Sequence, residues 1–211
     1  WSEITTTARL VSARRSRFTE MGALLLASAL FLFFFGALAI DAGIHRARLP
    51  ARIELMQLQP GVILDGAHSP AKIEALVTTL DTFRPWRQLH LVFAAKETKN
   101  PMDLLAPLAP LANSATITSF TLPGFDSFDE TLTANIMHSL RADLTPEVIP
   151  DPTQAVLHAI TSAAPDDLVL ITGSLYLAGF VRPIWISEET ILFKRNIFPN
   201  AATFDNPHHT T

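Results

Sequence analysis

The sequence contains no cysteine. Disulfides, zinc–thiolate sites and a cysteine nucleophile are thereby excluded, and either redox compartment remains open. Charge is also scarce: Asp, Glu, Lys and Arg make up 17% of the 211 residues, against roughly 25% in an ordinary soluble domain. The formal net charge of -4 has the wrong sign for a phosphate backbone, so no nucleic-acid partner is expected. No G-x-x-x-x-G-K-[ST] phosphate loop occurs, so nothing here cradles a triphosphate unaided. Tandem repeats, low-complexity blocks and a signal-peptide pattern are missing too. The chain begins at Trp1 rather than Met, as a fragment or a processed product would.

What is present starts with an apolar run. Residues 21–40 carry no charged side chain and centre on Phe31-Leu32-Phe33-Phe34-Phe35, after a basic cluster at Arg14, Arg15 and Arg17. About 20 apolar residues is the length that spans a bilayer, and the cluster would then face the cytoplasm. The same run also reads as a buried helix, a turn at Gly36 and a second helix.

From Arg52 onward the periodicity alternates between strand and helix. Residues 52–56, 62–64, 89–95, 115–120, 147–149 and 168–172 read as strands, several of them apolar on both faces as buried parallel strands are. Between them, Ile73, Leu76, Val77 and Leu80 form one helical stripe. Leu104, Leu105, Leu108 and Leu111 form another, in a helix that Pro107 should shorten. Ser127 and Glu130 have capping-box spacing, and Asp151-Pro152 opens a further helix. The expectation is an α/β fold, a mostly parallel sheet with helices on both faces. Ligands of such sheets bind outside the carboxyl ends of the strands, which places residues 65–69, 96–100 and 173–174 at one rim.

The most informative segment is residues 62–70, Val-Ile-Leu-Asp-Gly-Ala-His-Ser-Pro. A buried strand delivers a carboxylate, a glycine and an imidazole to a loop that opens a helix. Asp65 can accept from sugar hydroxyls, Gly66 lets a ligand approach the backbone, and His68 can donate to a phosphate or carboxylate at the helix N-terminus. The plain alternative is that Asp65 caps the turn and His68 is a surface histidine. Gly173-Ser174 likewise reads either as a tight strand-to-helix turn or as a glutamate-binding loop.

Several motifs in order resemble one family. Residues 65–70 look like the Asp-Gly-Ala-His-Asn-Pro motif that begins the last domain of folylpolyglutamate and dihydrofolate synthases, in the Mur ligase superfamily. Leu49-Pro50-Ala51-Arg52-Ile53-Glu54 is similar to that family's Pro-Gly-Arg lead-in, and Gly173-Ser174-Leu175-Tyr176 to its closing Gly-Ser-Leu-Tyr. The resemblance implies a Rossmann-like Mur ligase C-terminal domain over residues 49–197. It makes residues 1–48 the helical end of a central ATPase domain and 198–211 a loose tail.

It also implies an ATP-dependent ligase that adds glutamate to folate, cytoplasmic, with ATP and Mg²⁺ as cofactors held mainly by other domains. Its partners are then ATP, glutamate, folate and the N-terminal and central ATPase domains; a membrane is not expected. Carried over by position, Arg52 and Asp65 contact ATP and His68 lies near the reacting groups. Ser174 and Lys99 are candidates for holding substrate, and no metal ligand is assigned. Ser69 replaces the family's asparagine, Lys99-Asn100 its Lys-Asp, Ala94 a glycine, and Gly22 an ATP-contacting asparagine. Two other readings stand beside this one: a non-catalytic or membrane-tethered α/β remnant, and a cell-wall Mur ligase.

Overall fold

The computed structural model describes residues 49–83 and 85–193. The apolar run at 21–40, Arg14, Arg15, Arg17, Gly22 and the tail from residue 198 lie outside the described residues. Among the described residues no helix is long and apolar enough to cross a membrane.

Six strands form the main sheet, in the spatial order β1 (Glu54–Leu58), β2 (Gly61–Leu64), β8 (Leu168–Thr172), β3 (Leu89–Phe93), β4 (Ser114–Ile117), β7 (Glu147–Val148). β1 pairs antiparallel with β2; every other pairing in this sheet is parallel. Two further strands, β5 (Thr121–Leu122) and β6 (Phe125–Asp126), make a separate hairpin with no counterpart in the sequence reading. Its turn is set by Gly124 at φ 78°, a conformation that suits glycine.

Neighbouring residues of each central strand face opposite ways, and both faces are apolar. Ile63, Leu91 and Leu170 point into one core with α1 (Pro70–Leu80), α2 (Pro101–Leu105) and α3 (Glu130–Leu140). Leu64, Val92 and Ile171 point into the other with α4 (Pro152–Ser162) and α5 (Leu175–Val181). A last short helix, α6 (Glu188–Phe193), follows. The expected α/β sheet with helices on both faces is therefore present, its central strands buried on both sides as parallel strands must be.

The breakers act as their chemistry requires. α2 stops at Leu105 before Pro107, and a short 3₁₀ turn (Ala109–Leu111) completes the segment. Asp151 caps α4 by accepting from the Gln154 N–H. The expected capping box at Ser127 is a correction. Asp129 is the N-cap of α3 and accepts from the Leu132 N–H at 2.7 Å. The Ser127 hydroxyl instead accepts from the Phe120 N–H, tying the hairpin back to β4. An aspartate one residue before the helix satisfied the same orphan donors more directly.

The connections fix where a ligand would sit. After β2 and β3 the chain turns to α1 and α2 on one face; after β8, which lies between them, it turns to α5 on the other. The loops beyond β2, β8 and β3 thus flank the points where the winding reverses, the usual ligand crevice of an open α/β sheet.

Candidate functional site

The loop after β2 is held by its own aspartate. Asp65 is buried, and each of its carboxylate oxygens accepts a backbone N–H. Oδ1 takes Ala67 at 2.7 Å and Oδ2 takes Ile53 at 2.8 Å. The second bond reaches twelve residues back and ties the segment carrying Arg52 to the loop carrying His68. Gly66 adds a third tie, its N–H donating to the Ala51 carbonyl at 2.9 Å. The space a side chain would take at Gly66 is filled by Leu175, 2.1 Å from an ideal Cβ position. The glycine therefore serves helix-to-loop packing in this structure, where sequence reasoning expected close ligand approach.

These ties bring Arg52 and Asp65 to one cleft of about 250 Å³, whose wall also holds Lys72, Leu76 and Thr79. Arg52 and Lys72 are exposed and Asp65 lies at the cleft's base. The opening is cationic, its lower wall apolar. Ser69, at the N-cap of α1, makes no side-chain bond to the helix. Pro70 has no N–H and the Lys72 and Ile73 N–H groups donate to the Ser69 carbonyl at 3.0 Å, so the eleven-residue helix offers this opening chiefly the positive end of its dipole, which favours an anion.

His68 stands beside the cleft and contacts Lys72, which lines it. Its Nδ1–H donates to the Gly66 carbonyl at 2.7 Å, and its Nε2 lies 3.1 Å from the Lys72 Nζ. A carbonyl can only accept and an ammonium can only donate, so Nδ1 carries the proton and Nε2 the lone pair. In this tautomer the ring's one N–H is spent on Gly66 and Lys72 is the donor of the pair, where the sequence reading expected His68 itself to donate. Lys72 itself was missed. The available signal was its place in the first turn of the helix that the His68 loop opens.

Ser174 and Lys99 are not part of this cleft. Ser174 is buried and its hydroxyl accepts the Tyr176 N–H at 3.1 Å, capping α5. Gly173 before it has φ 106° and donates its N–H to the Ala67 carbonyl, so this turn abuts the loop of Asp65. Lys99 is half-buried in the loop after β3, its N–H donating to the Lys96 carbonyl. Among the described residues no group of three or more His, Asp or Glu side chains could hold a metal ion. The described residues therefore offer no such ligand set for Mg²⁺.

At the opposite end of the strands a second polar cluster is engaged in structure. Asp167 accepts from the Ala164 and Gln88 N–H groups, from Arg87 and from the His90 Nε2, while His90 Nδ1 meets the Ser114 hydroxyl at 2.8 Å. Burial pushes the Asp167 carboxyl up, and the bonds from Ala164, Arg87 and His90 outweigh it, leaving it at about 2. The cluster joins the start of β3 to the start of β8 and β4.

The glutamate ligase domain of Mur ligases matches residues 51–175. A probable bifunctional folylpolyglutamate synthase/dihydropteroate synthase of Haloferax volcanii is 32% identical over 70% of this chain and 17% of its own length. The dihydrofolate synthase/folylpolyglutamate synthase of Bacillus subtilis is 28% identical over 68% of this chain and 32% of its own. Among solved structures, Mycobacterium tuberculosis folylpolyglutamate synthase complexed with ADP aligns with a TM-score of 0.63 at 27% identity. That alignment covers 72% of this chain and 37% of that one. The chain thus spans between about a sixth and somewhat over a third of the proteins it resembles.

Proposed function

The chain belongs to the Mur ligase family through its glutamate ligase domain, and on that premise we propose that it is the C-terminal part of an ATP-dependent ligase that adds glutamate to a folate. In that reaction the substrate carboxylate takes the terminal phosphoryl group of ATP, giving an acyl phosphate and ADP. The glutamate amino group then displaces phosphate to form the amide and gives up its proton. Residues 49–197 are the C-terminal domain in this reading, residues 1–48 the end of the ATPase domain, and 198–211 a tail. The chemistry needs the N-terminal and central domains for the phosphate loop and Mg²⁺, and the setting is the cytoplasm.

The observation that carries the reading is the cleft that joins Arg52, Asp65 and Lys72 at the open start of α1. Two cations beside a helix N-terminus suit the phosphates of a nucleotide, and the Asp65 carboxylate suits its sugar hydroxyls. Arg52 and Lys72 hold the phosphates, Asp65 accepts from a hydroxyl through a lone pair its two backbone bonds leave over, and His68 orients Lys72. Lys99 and Ser174, on the neighbouring rim loops, are left to the amino-acid substrate.

The chain alone should release no ADP from ATP. Joined behind the N-terminal and central domains of a folylpolyglutamate synthase, it should support glutamate-dependent ADP release with a folate acceptor. Arg52→Ala in that hybrid should lower kcat/KM by about 10²-fold or more, the loss of a charge-assisted bond to a phosphate. A hybrid whose glutamate addition is indifferent to Arg52→Ala would contradict the assignment. A hybrid that accepts only a peptidoglycan precursor would make the chain a cell-wall ligase domain.

A further inference from the structure

Two of the three residues around the Arg52 peptide group have left-handed backbone: Ala51 at φ 52° and Ile53 at φ 49°. Neither is glycine, and a β-branched residue there is an outlier that its surroundings must hold in place. The holders are identifiable. The Ala51 N–H donates to Glu54 Oε2 at 2.9 Å, and the Ile53 N–H to Asp65 Oδ2 at 2.8 Å. Glu54 is in turn gripped at both oxygens by Arg182, through NH2 to Oε1 at 2.7 Å and Nε to Oε2 at 3.0 Å. Both side chains are almost fully buried, at 8% and 5% exposure. Arg182 lies 128 residues further on, in the 3₁₀ turn that closes α5.

A buried ion pair is an inefficient way to stabilise a fold, because desolvating both charges offsets most of their attraction. What it does supply is fixed geometry. Here the fixed object is Glu54 Oε2, aimed at the N–H of the residue just before Arg52. The other end of α5 works on the same place, since Leu175 packs over Gly66, whose N–H holds the Ala51 carbonyl.

We propose that Glu54 and Arg182 are positioning residues for Arg52: together they lock residues 51–53 into the left-handed turn that delivers the guanidinium to the cleft. The partner of that guanidinium is an anion of the nucleotide phosphate class, a point that rests on the functional reading above. The lock itself does not rest on it.

The test uses the 211-residue chain and follows individual backbone amides. Arg182→Met keeps the buried aliphatic stem and removes the fork, and Glu54→Gln keeps the shape and removes the charge. In both variants the Ala51 and Ile53 amides should exchange at least about tenfold faster, and their Cα shifts should leave the left-handed range. Amides of β3 and β8 should keep their wild-type rates. Unchanged exchange at Ala51, or an acceleration shared equally by β3 and β8, would overturn the proposal. Should Arg182→Met fail to fold, Arg182→Lys retains the charge with a single donor group. Exchange at Ala51 between the wild-type and Glu54→Gln rates supports the lock, and wild-type exchange overturns it. Adding ADP separates the two levels. If ADP shifts Arg52 in the wild type and not in Arg182→Met, both stand. If ADP shifts Arg52 in neither while Ala51 exchange is accelerated, the lock stands and the nucleotide reading of the cleft falls.

Discussion

Asp65 has two uses at once, and the distinction decides how its substitutions should behave. Each oxygen already accepts one backbone N–H, and each has a second lone pair for a ligand. Asp65→Ala should lower the stability of the chain by about 1–3 kcal/mol, the cost of buried donors left without a partner, read from urea unfolding midpoints. Asp65→Asn should not restore it, because the amide must turn its own N–H toward either Ile53 or Ala67. Gly173 is the stricter of the two rim glycines. An added Cβ would meet the Ala94 carbonyl at 2.5 Å, and φ is 106°. Gly173→Ala should therefore cost about 2–4 kcal/mol. Gly66→Ala should cost less, since the obstructing Leu175 is 44% exposed and can turn outward. Asp167 gives a pH signature. A carboxyl held at about 2 when folded, against 3.8 ordinarily, adds stability that is complete above 3.8 and is lost as pH falls through about 2. The melting temperature should drop across that window, and Asp167→Asn should flatten the drop.

Among the elements, those legible in the sequence are those whose periodicity and breakers agree. α1 has a stripe at Ile73, Leu76 and Leu80 with Pro70 in its first turn, and both features hold. α2 was readable down to its truncation before Pro107. The start of α3 was misread because Ser127 and Glu130 satisfy a spacing rule that Asp129 satisfies by direct capping. Asp129→Ala should accordingly cost about 1 kcal/mol in thermal or urea unfolding. The hairpin of β5 and β6 was not legible at all, since two-residue strands carry no measurable alternation. Strand direction was inferred from the alternation of strands and helices. β1 is antiparallel because only a tight turn, with no crossover helix, separates Leu58 from Gly61.

At the scale of the molecule, the crevice was predictable and its wiring was not. The motif loop after β2 and the turn after β8 fell where an open α/β sheet binds ligands, which put Asp65 and His68 at the rim, and only the family resemblance added Arg52 to them. The bond that joins Arg52's segment to Asp65, and the pair that joins Glu54 to Arg182 across 128 positions, exist only in three. Ser174 and Lys99 share the rim with the cleft without lining it, which spacing alone did not reveal. The most direct measurement is an amide-resolved titration of the 211-residue chain with ADP at millimolar concentration. The account predicts shifts concentrated at Arg52, Ile53, Ala67 and Lys72, abolished by replacing Arg52 and Lys72 together with alanine. Shifts centred elsewhere on the domain, or identical shifts in the doubly substituted chain, would contradict it.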